Sequence, residues 1–214
     1  MALAYPAARR SEHCDVLHGK TVADPYRWLE DPDSDETTAW VEAQCALTDA
    51  VLAKTRDRGR IRDRLAEVKD YPTYSVPSKH SSGYYYWHNS GLQNQDVLYR
   101  HADAALGGAA GDEAGRQVVL DPNALSDDGT VAVGPLKMSE CGTLLAYGLS
   151  EAGSDWKTLK VLRVSADVGG AIEPLDDVCK WVKFSSIAWR HDGSGFYYAR
   201  YPAPAAAAAA AAPD

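Results

Sequence analysis

The chain has 214 residues and a formal net charge of −8, room for one or two domains with a sizeable core. Its acidic balance excludes a nucleic-acid partner, because no basic face is available to displace counterions from a phosphate backbone. Four cysteines, Cys14, Cys45, Cys141 and Cys179, stand far apart without a C-x-x-C pair, which excludes the usual zinc layouts and fits reduced thiols of the cytoplasm.

From Met1 to Lys20 there is little periodicity, and an extended arm lying on another surface is expected. Asp24-Pro25-Tyr26-Arg27-Trp28-Leu29-Glu30-Asp31-Pro32 is aromatic and bracketed by prolines, so it cannot be a long helix, and its rings need a surface to bury against. A helix is predicted from Asp33 or Ser34, either of which can cap the free amides, with Trp40, Ala43, Leu47 and Val51 on one face. A second helix is predicted from Asp57 to Lys69, with Ile61, Leu65 and Val68 on its apolar side, ended by Tyr71-Pro72.

Past Asp70 the period becomes strand-like. Gly83 to Trp87, Gln95 to Arg100 and Arg116 to Leu120 read as strands, and Ala102 to Gly115 as a surface insertion rich in alanine and glycine. Asp121-Pro122-Asn123 and Ser126-Asp127-Asp128-Gly129 are turn clusters.

Between Met138 and Tyr198 one pattern occurs twice. Met138-Ser139-Glu140-Cys141-Gly142-Thr143-Leu144-Leu145-Ala146-Tyr147 superposes on Trp189-Arg190-His191-Asp192-Gly193-Ser194-Gly195-Phe196-Tyr197-Tyr198 after a shift of about 51 residues. Each copy reads as two strands around a polar glycine turn. Thr158 to Val164 and Val182 to Trp189 are expected to complete a four-stranded sheet per unit. Repeats of this period built from short strands point to propeller blades, with a plain meander as the alternative. The sequence ends in an alanine-rich run from Ala205 to Ala212 that is too short to span a bilayer. No other stretch is long or apolar enough to do so, and no leader-like segment follows Met1, so a cytoplasmic protein without a membrane partner is expected.

Local chemistry is sparse. Gly19-Lys20-Thr21 resembles the end of a phosphate-binding loop, but Cys14 stands where its first glycine belongs. Gly148-Leu149-Ser150-Glu151-Ala152 lacks the second glycine of a nucleophile elbow and has no following helix, so Ser150 reads as a turn residue. His13 and His18 flank Cys14 without a fourth ligand nearby, so no metal and no cofactor are expected. Asp127-Asp128 and Asp176-Asp177 sit in turn-like contexts, and no Ser, His and Asp set emerges.

A longer set of residues carries a family resemblance. His18-Gly19-Lys20, Asp24 through Ser34, Gly91-Leu92-Gln93-Asn94-Gln95 and Leu120-Asp121-Pro122-Asn123 to Thr130 all resemble the prolyl oligopeptidase family. So do Tyr147-Gly148-Leu149-Ser150 with Gly153-Ser154-Asp155-Trp156, and Val182-Lys183-Phe184-Ser185 to Gly193. The likeness runs unbroken over roughly residues 5 to 202.

The resemblance implies a serine endopeptidase that cuts short peptides after proline, with an α/β-hydrolase catalytic domain capped by a seven-bladed propeller. The expected fold is mainly β with an N-terminal α-helical arm: an incomplete propeller of about two blades and the start of a third, without the catalytic domain. On that division, residues 1–70 are an arm that packs on the catalytic domain, 71–202 a partial propeller that gates substrate access, and 203–214 an alanine-rich tail. The family's catalytic serine, aspartate and histidine fall beyond this sequence, so no catalytic residue is assigned and the chain alone is expected to be inactive. Its expected partners are the missing catalytic domain and short proline-containing peptides. By resemblance Asp155 acts electrostatically near the active site, and Phe184 lines an apolar subsite. Without the resemblance, Asp155 reads as a turn residue and Phe184 as a core residue. Additional residues near Asp167 to Ala171 depart from the family pattern.

Two other readings compete. One is a non-catalytic propeller-type binding module. Its open end would expose about five bulky side chains worth ~2 kcal/mol each, a loss on the order of 10 kcal/mol that rivals the stability of a domain. The other is that the sequence is an incomplete record of a longer protein.

Overall fold

A computed structural model of the chain describes residues 3–102 and 115–203. Most of the expected insertion Ala102 to Gly115 and of the alanine-rich tail lies outside the described residues. The chain divides into two compact units, Met1–Glu67 and Val68–Asp214.

The first unit opens with a hairpin that the lack of periodicity hides. β1 (Cys14–Leu17) pairs with β2 (Lys20–Ala23), and Leu17 faces Lys20 across a two-residue loop. His18 and Gly19 both take left-handed backbone, φ 53° and 78°, as a type I′ turn demands. The reversal that looked like the end of a phosphate loop is therefore a strand connection. Arg27, in a short 3-10 turn (Arg27–Glu30), ties this hairpin down through Asp15 and Asp24.

Helix α1 (Asp35–Leu52) is capped by Ser34, whose hydroxyl accepts from the Thr37 amide at 3.3 Å. Asp35 and Glu36 place acidic groups in its first turn, where the helix dipole favours them. The N-terminal arm lies along this helix. Arg9 grips Glu36 with two hydrogen bonds of 2.6 and 2.9 Å, and Gln44 donates to the Pro6 carbonyl. Trp28 packs edge-on against Trp40 and donates to the Arg9 carbonyl, giving the aromatic segment the surface it requires. Helix α2 (Arg58–Lys69) follows, and its predicted stripe of Ile61, Leu65 and Val68 remains exposed.

The described residues of the second unit are mainly β, with one short 3-10 turn at Pro122–Ala124. β3 (Thr73–Tyr74) and β4 (Ser78–His80) both pair with β5 (Gly83–Asn89), as one strand interrupted at Pro77, since proline cannot donate to a ladder. β6 (Val97–His101) and β7 (Gln117–Leu120) complete a five-stranded sheet. The next sheet is a four-stranded antiparallel meander: β8 (Ala132–Met138), β9 (Leu144–Ser150), β10 (Lys157–Val164) and β11 (Ile172–Val182). β12 (Ala188–Trp189) and β13 (Phe196–Tyr197) form a final hairpin. Of the strand expected at Val182 to Trp189, Val182 closes β11, which begins at Ile172, and Ala188–Trp189 form β12 of the next hairpin. Asp176 and Asp177 lie on this exposed strand rather than in a turn.

Alternation along the meander buries both of its faces. Leu145, Tyr147, Leu162 and Val164 pack with Tyr85 and Leu98 of the preceding sheet, whereas Ala146, Leu159, Val161 and Val182 pack towards Ile187, Trp189 and Phe196. Both repeat turns form as the pattern predicts. The Gly142 and Gly193 amides donate back three residues to Ser139 and Arg190, each at 3.0 Å, with φ 72° and 68°.

Polar clasps close the seam between the two larger sheets. Arg100, fully buried, donates to the Ser165 and Asp167 carbonyls at 2.6 and 2.8 Å and to the Gln117 side chain at 2.7 Å. Ser82, also buried, donates to the Gly142 carbonyl at 2.9 Å. Among the described residues no sheet closes on itself, and no helix is long and apolar enough to cross a membrane.

Candidate functional site

Antiparallel order puts one set of connections at a common end of the second unit. Ala132, which opens β8, pairs with Ser150, which closes β9, and Lys157 of β10 pairs with Val182 of β11. The loops at 151–156 and 183–187 therefore meet, although they are far apart in sequence.

The first loop starts with a type I′ reversal. Ala152 and Gly153 have φ 48° and 73°, and the Ser154 amide donates to the Glu151 carbonyl at 2.9 Å. Asp155 and Trp156 follow as the chain enters β10. On the other side, Trp181 and Phe184 are both left-handed, with φ 63° and 53°, a conformation that strains any side chain bearing Cβ. Between them Val182 is fully buried. The double flip seats Val182 in the core while Phe184 stands 76% exposed. Phe184 is therefore not a core residue.

Lys183 joins the two loops. Its ammonium lies 3.5 Å from a carboxylate oxygen of Asp155, 5.4 Å from the Trp156 ring centroid and 5.1 Å from that of Phe184. The two residues singled out by resemblance, Asp155 and Phe184, are thus brought to one lysine. Trp156 also meets Trp181 and Tyr201 edge-on, with centroids 6.2 and 5.5 Å away. Beside it opens a cleft of about 480 Å³ lined by Leu149, Glu151, Ser154, Trp156, Lys180 and Trp181. A carboxylate, an ammonium and exposed rings in one patch can hold an extended peptide by apolar contact and by charge. They include no nucleophile paired with a base.

Among the described residues, the other candidates from the sequence stay apart from this patch. The Ser150 hydroxyl only reaches the Ala132 carbonyl, at 3.5 Å. His13 pairs with Asp15 at 3.4 Å. Asp128 accepts from the Thr130 amide and hydroxyl at 3.0 and 2.8 Å, which holds its carboxyl below the usual range, and Asp192 repeats this with Ser194. Among the described residues no group of His, Cys, Asp and Glu converges as metal ligands would. Sequence reasoning passed over Cys141, whose thiol is lowered by hydrogen bonds with Ser139 and Thr143 at 3.2 and 3.0 Å. The alternation Ser-x-Cys-x-Thr was its visible signal.

Comparison with known proteins agrees with this architecture. The family model described as prolyl oligopeptidase, N-terminal beta-propeller domain, matches residues 5–212. Prolyl oligopeptidase A of Galerina marginata is 42% identical over 212 residues, covering 93% of this chain and 29% of the relative. Prolyl endopeptidase of Elizabethkingia miricola is 38% identical over 204 residues, covering 95% of this chain and 27% of the relative. Among solved structures, prolyl oligopeptidase B from Galerina marginata bound to a 35mer hydrolysis and macrocyclization substrate matches with a TM-score of 0.75 at 34% identity. That match covers 93% of this chain and 30% of the other. The chain therefore spans less than a third of the length of these relatives.

Proposed function

The chain belongs to the prolyl oligopeptidase family, in its N-terminal propeller portion, and from that membership we propose that it contributes the substrate-admitting part of an endopeptidase cleaving short peptides after proline. The observation that carries this reading is the match of residues 5–212 to the family's N-terminal domain, within relatives that are prolyl oligopeptidases. In this reading the five-stranded sheet and the meander are two blades, and β12–β13 starts a third. Residues 1–70 form the arm that docks on a catalytic domain, residues 71–202 the partial propeller, and residues 203–214 a tail. The exposed Ile61, Leu65 and Val68 stripe supports such docking, because an apolar helix face left in water is costly.

Asp155 and Phe184 are the substrate-contacting residues in this reading: the carboxylate acts electrostatically and the exposed ring receives an apolar side chain. Their convergence on Lys183 supports the assignment. Acyl transfer would use a nucleophile, base and oxyanion hole from residues other than these. The assembled enzyme works in the cytoplasm, without a resident cofactor.

The test is the purified 214-residue chain incubated with a proline-containing fluorogenic peptide. We expect binding, read from tryptophan fluorescence, without hydrolysis. Hydrolysis that persists after a serine-peptidase inactivator has removed contaminants, or failure of a chain with a cooperative melt to bind any of a panel of proline-containing peptides, overturns the proposal.

A further inference from the structure

We propose that Lys183 is the positioning residue of the Asp155 and Phe184 site, a clamp whose single ammonium fixes both the carboxylate and the ring. The peptide-binding role it serves rests on the function proposed above, but the clamp itself does not. Three contacts define it: 3.5 Å to Asp155, 5.4 Å to the Trp156 ring and 5.1 Å to the Phe184 ring.

The backbone explains why a lysine at this position can reach all three. Lys157 pairs directly with Val182, so the residue after Val182 emerges beside the chain leading into Lys157, which is Asp155-Trp156. Left-handed turns at Trp181 and Phe184 bracket Lys183, and the fully buried Val182 pins the segment from below. The lysine side chain is 27% exposed against 58% for Asp155, so its stem is covered while the carboxylate it holds faces water. An aromatic ring that is 76% exposed has little packing to fix its rotamer. A cation above its face supplies an orienting contact, and the same cation pairs with the exposed carboxylate of Asp155 at the loop end.

The clamp has a definite chemical requirement. A positive charge is needed for both the rings and the carboxylate, so a neutral, polar side chain such as glutamine releases both. Arginine keeps both, through a planar head that stacks and pairs.

The experiment compares the 214-residue chain with its Lys183→Gln and Lys183→Arg variants by carbon-resolved NMR of the Lys183 ε-methylene, the Phe184 ring and the Asp155 carboxyl. Each variant is also titrated with acetyl-Ala-Ala-Pro amide and followed by tryptophan fluorescence. The wild-type ε-methylene is expected upfield, under the two rings. In Lys183→Gln the Phe184 and Asp155 signals should move towards those of unrestrained side chains, and peptide affinity should fall by about fivefold. Lys183→Arg should restore both, with all three chains melting alike. Phe184 and Asp155 signals that stay in place in Lys183→Gln, or a wild-type ε-methylene without ring shift, overturn the clamp; the wild-type measurement decides even if a variant does not fold. A wild-type chain with the ring shift intact but no peptide binding overturns the proposed function instead, and leaves the positioning role standing.

Discussion

The indole nitrogen of Trp189 donates to the carbonyl of Lys137 at 2.8 Å, so the residue that opens the second copy of the repeat is fastened beside Met138, its counterpart in the first. A contact between the His191 ring and the Glu140 carboxylate joins the same two turns. The repeat is thus a physical contact as well as a pattern. Replacing Trp189 by phenylalanine keeps the ring that packs on Phe196 but removes the donor. The expected cost is ~1 kcal/mol, seen as a lower midpoint in urea.

At the other seam, Arg100→Met should be far more damaging. It leaves the Ser165 and Asp167 carbonyls and the Gln117 side chain without their charged donor. A loss of ~3 kcal/mol is expected, measured by chemical denaturation. A change within 1 kcal/mol would mean that water replaces the guanidinium at no cost.

Neighbouring positions in the strained segment should respond oppositely. Val182→Ala opens a hole at a fully buried site, at a cost of ~2 kcal/mol. Phe184→Gly removes an exposed ring and relieves a left-handed backbone; the relief is worth ~1 kcal/mol before glycine's added chain entropy is counted. Its melting temperature should therefore hold or rise while peptide binding is lost, the signature of strain kept for use rather than for stability.

His80 gives the fold an acid limb. Burial, and then the nearby Lys137 charge, hold its imidazole below the ordinary range. The unfolded chain therefore takes up this proton at a higher pH than the folded one. The associated stability is present above the unfolded value of about 6.5 and is lost as pH falls from there through the folded value. His80→Gln should flatten the pH dependence of the urea midpoint in that window.

Much of this organisation was legible because it is local. Ser34 with Thr37 wrote a cap, and Gly142 and Gly193 wrote two equivalent reversals. The β1–β2 hairpin was not, because a histidine fills the left-handed position where asparagine or glycine would announce the turn. β11 was misplaced because its exposed Asp176 and Asp177 look like a loop. The candidate patch was legible only in part. Asp155 and Phe184 could be picked out only by resemblance, since their link is made by the Lys157 to Val182 register, and nothing within either short stretch encodes that pairing.

Arg100 also constrains the order of assembly. Its carbonyl partners lie 65 and 67 residues further along, so during synthesis every strand of the five-stranded sheet is made before they are. Burying a guanidinium with only the Gln117 oxygen to accept from it is costly. The buried position of Arg100 thus ties completion of the first sheet to the arrival of the second.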